Sequence, residues 1–119
     1  SGYTTHQILS LASLVEKEGI TKEDRQKIAQ VFYTRLSSNM PLGSDISTYY
    51  GVHKRMRDGE LTFQDIYNVN PYNTRLTDGQ MNGKLPIGPV DNASLDAIWA
   101  TLHKTETNYI YFIANTCTK

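Results

Sequence analysis

Glu16-Lys17-Glu18 stands where an apolar helical stripe runs out, immediately before Gly19. On a wheel of about 100° per residue, Ile8, Leu9, Leu11, Ala12, Leu14 and Val15 gather on one side with Lys17 roughly opposite, an amphipathic pattern. Glu18 falls roughly 70° from the centre of that stripe and Glu16 roughly 90° off on the other flank. Both can reach the edge of a core, Glu18 slightly deeper. Gly19 is a natural left-handed terminator, so Glu18 is expected in the last turn, among unpaired carbonyls at the negative end of the helix dipole. Those carbonyls and the neighbouring apolar surface both disfavour ionisation, which raises a carboxyl pKa and suits proton donation near neutral pH. An ordinary solvated helix end is the commoner meaning of such a pattern, and the local sequence taken alone favours it.

The second set of residues that can do chemistry is Tyr72-Asn73-Thr74, an aromatic face beside amide and hydroxyl groups, which is what holding a sugar requires. Turn chemistry alone also accounts for it. His6, His53 and His103 are scattered without metal-ligand spacing, and the single cysteine, Cys117, excludes an internal disulfide and a thiol cluster. No metal or other cofactor is expected.

The elements that must position these groups follow from capping and periodicity. Thr4 or Thr5 caps a first helix from about residue 5 to residue 18; Thr21, followed by Glu23 and Asp24, opens a second from about Lys22 to Leu36. Arg25 and Arg35 bracket that second helix, each able to pair with a carboxylate. Residues 42–50 read as a loop feeding a short helix or turn, residues 54–59 as a solvated connector, and Thr62 with Asp65 as the start of another short helix. Asparagines, prolines and glycines from 68 to 92 make a long loop with little regular structure. Loops of that length inside a domain, when ordered, are often functional. Asn92 or Ser94 caps a helix whose Leu95, Ile98, Trp99 and Leu102 form a core stripe, and Tyr109 to Ala114 is a strong strand signal. That strand needs partners, best sought in 40–50 and 68–88, so the expected fold is α+β: a small helical domain with a short β-sheet.

The 119 residues form a single domain with 39% apolar and 20% charged residues, and formal charges that sum to zero. No basic excess is available to neutralise phosphates, which argues against nucleic acid as a partner. No run of eighteen apolar residues occurs, so the chain itself is expected to be soluble and free of membrane contact. The abrupt start at Ser1-Gly2-Tyr3 reads as the edge of an excised piece.

With its segments laid out, the sequence resembles the endolytic murein transglycosylase family, MltG or YceG-like, over nearly its whole length. The residues that carry the resemblance are 11–18; Arg25 with 27–29, 31–32 and 35–36; Met40, Leu42 and Ser44-Asp45; Tyr50-Gly51; Tyr72-Asn73-Thr74; Leu85-Pro86 with Gly88-Pro89; and 109–114. Each fragment is weak; seven in order with the family's spacing make a strong signal. Where the family usually has Gln-Thr-Asp-Pro-Thr this chain has Gly43-Ser44-Asp45-Ile46-Ser47; Thr34 stands in place of an Asn; and the loop from Arg75 to Lys84 is longer than in many relatives.

The resemblance implies a catalytic domain that cuts the β-1,4 bond between N-acetylmuramic acid and N-acetylglucosamine in peptidoglycan, leaving a 1,6-anhydro end. It implies lysozyme-like placement of one glutamate at a helix end, and that glutamate maps to Glu18. It implies a membrane-anchored parent acting outside the cytoplasmic membrane in cell-wall synthesis and remodelling, with peptidoglycan strands as substrate and cell-wall synthesis proteins as partners. Asp45, Ser44, Tyr50, Tyr72, Asn73, Thr74 and Arg35 become candidates for the substrate groove. Two alternatives stay open: a hydrolytic muramidase with Asp45 as second carboxylate, and a glycan-binding module that does not cut.

Overall fold

A computed structural model describes residues 3–76 and 78–104. The chain begins as α1, Thr5–Glu18, entered through a capping box in which Thr4 Oγ1 accepts from the Gln7 amide at 3.1 Å and Gln7 Oε1 accepts from the Thr4 amide at 2.9 Å. Thr21 caps α2, Lys22–Ser37, with Glu23 and Asp24 in the first turn against the positive end of its dipole. Both helices run as the capping residues imply, α2 one residue further.

The turn between them differs from expectation. Gly19 is extended, with φ of −111° and ψ of 149°, and is not a left-handed terminator. Its glycine is required by packing: a Cβ there would sit 2.7 Å from Arg25 Cγ and 3.2 Å from Arg25 Cα, so a bare backbone lets the start of α2 close on the end of α1. The core forms between these two helices, from Leu11, Leu14 and Val15 on one and Ile28, Ala29, Phe32 and Leu36 on the other, with Leu42 beneath.

After the turn at residues 38–44 come α3, Asp45–Gly51, a single 3-10 turn at Met56–Asp58, and α4, Phe63–Ile66. Thr62 and Asp65 form a second capping box. α5, Leu95–Leu102, is capped by Ser94 and packs against both α1 and α2. Its buried face is not the expected one. Ala97, Ala100 and Thr101 are buried, whereas Leu95, Trp99 and Leu102 are 84%, 38% and 54% exposed. Small residues let α5 approach two helices at once, which larger side chains would prevent. Trp99 instead lies under Lys22 Nζ, 3.9 Å from its ring centre, with His103 stacked on it at 4.3 Å.

No strand occurs among the described residues. The segment 109–114 lies outside them, while the stretches expected to pair with it are α3 and irregular loop. What joins those two stretches is two main-chain bonds, from Gly43 N–H to Thr74 C=O and from Gly83 N–H to Met40 C=O, each 2.9 Å, together with side-chain links. The described residues form a helical domain with a pinned loop.

Candidate active site

The last turn of α1 carries two glutamates with opposite fates. Glu16 is fully engaged: its Oε2 accepts from Arg25 Nη2 at 3.0 Å and its Oε1 from the Ser94 amide at 2.9 Å. The Ser94 hydrogen bonds, side chain first and then backbone, hold its carboxyl below the ordinary range, aided by Arg25 and Lys17 and opposed by burial. One carboxylate thus ties α1 to α2 and to the entry of α5. Glu16→Ala would strand a half-buried guanidinium and a helix-entry amide, and is expected to cost roughly 1–3 kcal/mol; urea unfolding of the variant checks it, and an unchanged midpoint would remove Glu16 from the framework. Lys17 turns outward to Asp91, 3.6 Å away.

Glu18 is half-buried, and no hydrogen bond from the described residues supports its charged form. Its pKa is pushed up to about 7, first by burial and second by the negative charge of Asp45, against a smaller downward pull from Arg35. The angular argument from sequence placed this carboxyl at the core edge, and burial is indeed the largest cause. Asp45 as the second cause is tertiary: α3 packs against α1 and brings an acidic residue from far along the chain.

The elements that place Asp45 are built from the other candidate residues. Ser44 caps α3 and is itself buried. Its amide donates to Thr74 Oγ1 at 2.7 Å, and Ser47 Oγ meets the same hydroxyl at 2.9 Å. Thr48 Oγ1 donates to Asn73 Oδ1 at 3.1 Å, while Asn73 Nδ2 donates to the carbonyls of Ile66 and Asn68 at 2.8 and 2.7 Å. Ser44, Asn73 and Thr74 are 0–1% exposed, so their polar atoms are spent inside the protein. Expected in the groove, these three instead lock the loop to α3; they look like sugar-binding residues in sequence because amides and hydroxyls serve both purposes.

Tyr50 and Tyr72 remain at the surface as a tilted aromatic pair, ring centres 4.7 Å apart. Beside them Gly51 allows Asn70 to close in: a Cβ at Gly51 would fall 2.1 Å from Asn70 Oδ1, the atom that receives the Tyr72 amide at 2.9 Å. Arg35 Nη1 donates to the Leu42 carbonyl at 2.6 Å. Gly43, with φ of 69°, lies in the left-handed region, and a side chain there would begin 3.7 Å from Arg35 Nη1. Gly43 therefore borders a cation that acts on Glu18.

One residue escaped the sequence reading. Arg75 Nη1 forms an ion pair with Asp45 Oδ1, and its own amide donates to Asn73 Oδ1 at 3.0 Å. Its only sequence signal is that it is the sole basic residue between 68 and 83. Among the described residues no group of three or more His, Cys, Asp or Glu is placed to hold a metal ion.

The YceG-like family model matches residues 1–119. The chain is 39% identical over 111 residues to an endolytic murein transglycosylase of Bacillus subtilis, covering 93% of this chain and 29% of that protein. It is 41% identical over 115 residues to an endolytic murein transglycosylase of Streptococcus pneumoniae, covering 94% of this chain and 20% of that one. The crystal structure of a yceG-like protein from Listeria monocytogenes superposes with a TM-score of 0.80 at 34% identity, covering 93% of this chain and 34% of the other. The chain thus spans between a fifth and a third of the length of the proteins it matches.

Proposed function

This chain belongs to the YceG-like family, and on that footing we propose that it is the catalytic domain of an endolytic murein lytic transglycosylase. The observation that carries the reading is Glu18: a half-buried carboxyl that still holds its proton close to neutral pH. Protonated, it donates to the glycosidic oxygen as the bond to the muramyl anomeric carbon breaks. As a carboxylate it then takes the proton from the exocyclic C6 hydroxyl of the same sugar, whose oxygen attacks that carbon intramolecularly. The result is a 1,6-anhydro end, with no water consumed and the glutamic acid regenerated.

Water-using glycosidases ordinarily employ two carboxylates, one of them a base or nucleophile. Here the second carboxylate, Asp45, is engaged in an ion pair with Arg75. The intramolecular hydroxyl supplies proximity in place of a nucleophile, and assistance by the N-acetyl group would complete it. Exposed Tyr50 and half-buried Tyr72 offer an aromatic surface on which a sugar ring can lie, with Arg35 and Asp45 setting the charge around the acid. The scheme requires neither metal nor nucleotide.

The parent protein would be anchored in the cytoplasmic membrane and would act on its outer face, trimming new glycan beside cell-wall synthesis proteins. No helix among the described residues is long and apolar enough to cross a membrane. Incubation with purified, peptide-free glycan strands tests the activity. Chromatographic length profiles are expected to shift to shorter strands cut at internal positions; binding with unchanged lengths would leave a glycan-binding module.

A further inference from the structure

We infer that Arg75 is a positioning residue for this reaction: by pairing with Asp45 at the first turn of α3 it fixes where the second carboxylate stands and how much of its negative charge reaches Glu18. This rests on the reading of Glu18 as the acid.

The geometry makes the pair a built feature of the fold. Asp45 cannot move far along α3, because Ser44 caps that helix and is bonded to Thr74 on the pinned loop. Arg75 is the next residue on that loop, and its amide is held by Asn73, which also receives Thr48 of α3. The backbone at both ends of the ion pair is therefore fixed by buried and part-buried hydrogen bonds that do not involve either charged side chain. The charges acting on Glu18 from the elements packed on α1 are Asp45 from α3 and Arg35 from α2; those of its own turn face elsewhere, Glu16 toward Arg25 and Lys17 toward Asp91. Arg75 thus reaches Glu18 through Asp45. Close to a cation, an anion's field falls off as that of a dipole, so removing Arg75 exposes Glu18 to more of the Asp45 charge.

The sign follows. A less compensated negative neighbour makes the Glu18 proton harder to remove, so the acid stays protonated and neutral to higher pH. Both side chains are partly exposed, at 37% for Arg75 and 52% for Asp45, so solvent screens the effect to on the order of half a pH unit.

The test is a carbon-13 NMR titration of the Glu18 carboxyl in the wild type, Arg75→Gln, Arg75→Lys, Asp45→Asn and the double variant Asp45→Asn/Arg75→Gln, with pH profiles of kcat/KM on glycan strands alongside. Arg75→Gln is expected to raise the midpoint, Arg75→Lys to restore it, and Asp45→Asn to lower it, while Arg75→Gln in the Asp45→Asn background moves nothing, the signature of coupling through the pair. A midpoint unmoved in Arg75→Gln, or moved equally with and without the Asp45 charge, overturns the role given to Arg75. A midpoint that moves while the alkaline limb of kcat/KM stays put overturns instead Glu18 as the acid, and with it any catalytic consequence of the pair.

Discussion

Glu18→Gln is expected to lower the rate of glycan cleavage by about 10²–10⁴-fold while leaving the helical framework in place. Glutamine preserves the volume and the polar end of the side chain but can neither give a proton to the glycosidic oxygen nor accept one from the C6 hydroxyl, so both halves of the scheme fail together. Among the described residues the hydrogen-bonded ties from this turn to α2 and to the entry of α5 run through Glu16 and not through Glu18. The wild type adds a second signature. With a pKa of about 7, Glu18 gradually loses the proton it must donate as the medium becomes alkaline, and kcat/KM is expected to fall through that region. Circular dichroism together with product quantification checks the variant; a Gln form that cuts at a comparable rate removes Glu18 from the chemistry.

The same substitution should stabilise the protein, and only on one side of the pH scale. The folded-state pKa of Glu18 is raised from 4.5 to about 7, so the folded protein binds this proton more tightly than the unfolded chain does. Stability from this group is complete below the unfolded value, declines as the pH rises through the window between the two values, and stays low above it. The full cost of ionising the buried carboxyl is about 3 kcal/mol at alkaline pH. Glutamine, which does not titrate, escapes that cost. Melting curves at pH near 8 should therefore place Glu18→Gln on the order of 10 °C above the wild type, and curves at pH near 4 should place the two together. All other titrating groups are common to both proteins and cancel in the comparison. A gap of the same size at both pH values would mean that burial does not set the proton affinity of Glu18. An acid that costs the fold stability at the pH where it works is what a site selected for chemistry, and not for rigidity, would retain.

The helices were legible because their signals are local. Thr4, Thr21, Thr62 and Ser94 each cap within three residues of themselves, and those bonds form in the structure as the spacing implies. The depth of Glu18 was legible for the same reason, as an angle measured along its own helix. What escaped depends on residues far apart in sequence. The reversed face of α5 follows from a site too narrow for Trp99 and wide enough for Ala97 and Ala100, a property of the α1 and α2 surfaces and not of α5. Gly19 is a glycine because Arg25 crowds it, although its place after a helix suggests a turn of the other hand. Asn73 and Thr74 carry groups suited to a sugar, yet their partners are Thr48, Ser44 and Ser47, about twenty-five to thirty residues away. The ion pair of Asp45 with Arg75 spans the same gap, and no pattern within either segment announces it.

The reaction attributed to this protein differs from hydrolysis in where the new oxygen at the cut end comes from. Glycan strands digested by the wild type, reduced with borohydride and weighed by mass spectrometry, report that origin directly. If one acid and the sugar's own hydroxyl suffice, the new muramyl ends are one water lighter than a reducing end and resist borohydride. Ends that carry the added water and take up hydride would place Asp45 beside Glu18 as a second working carboxylate and contradict the account.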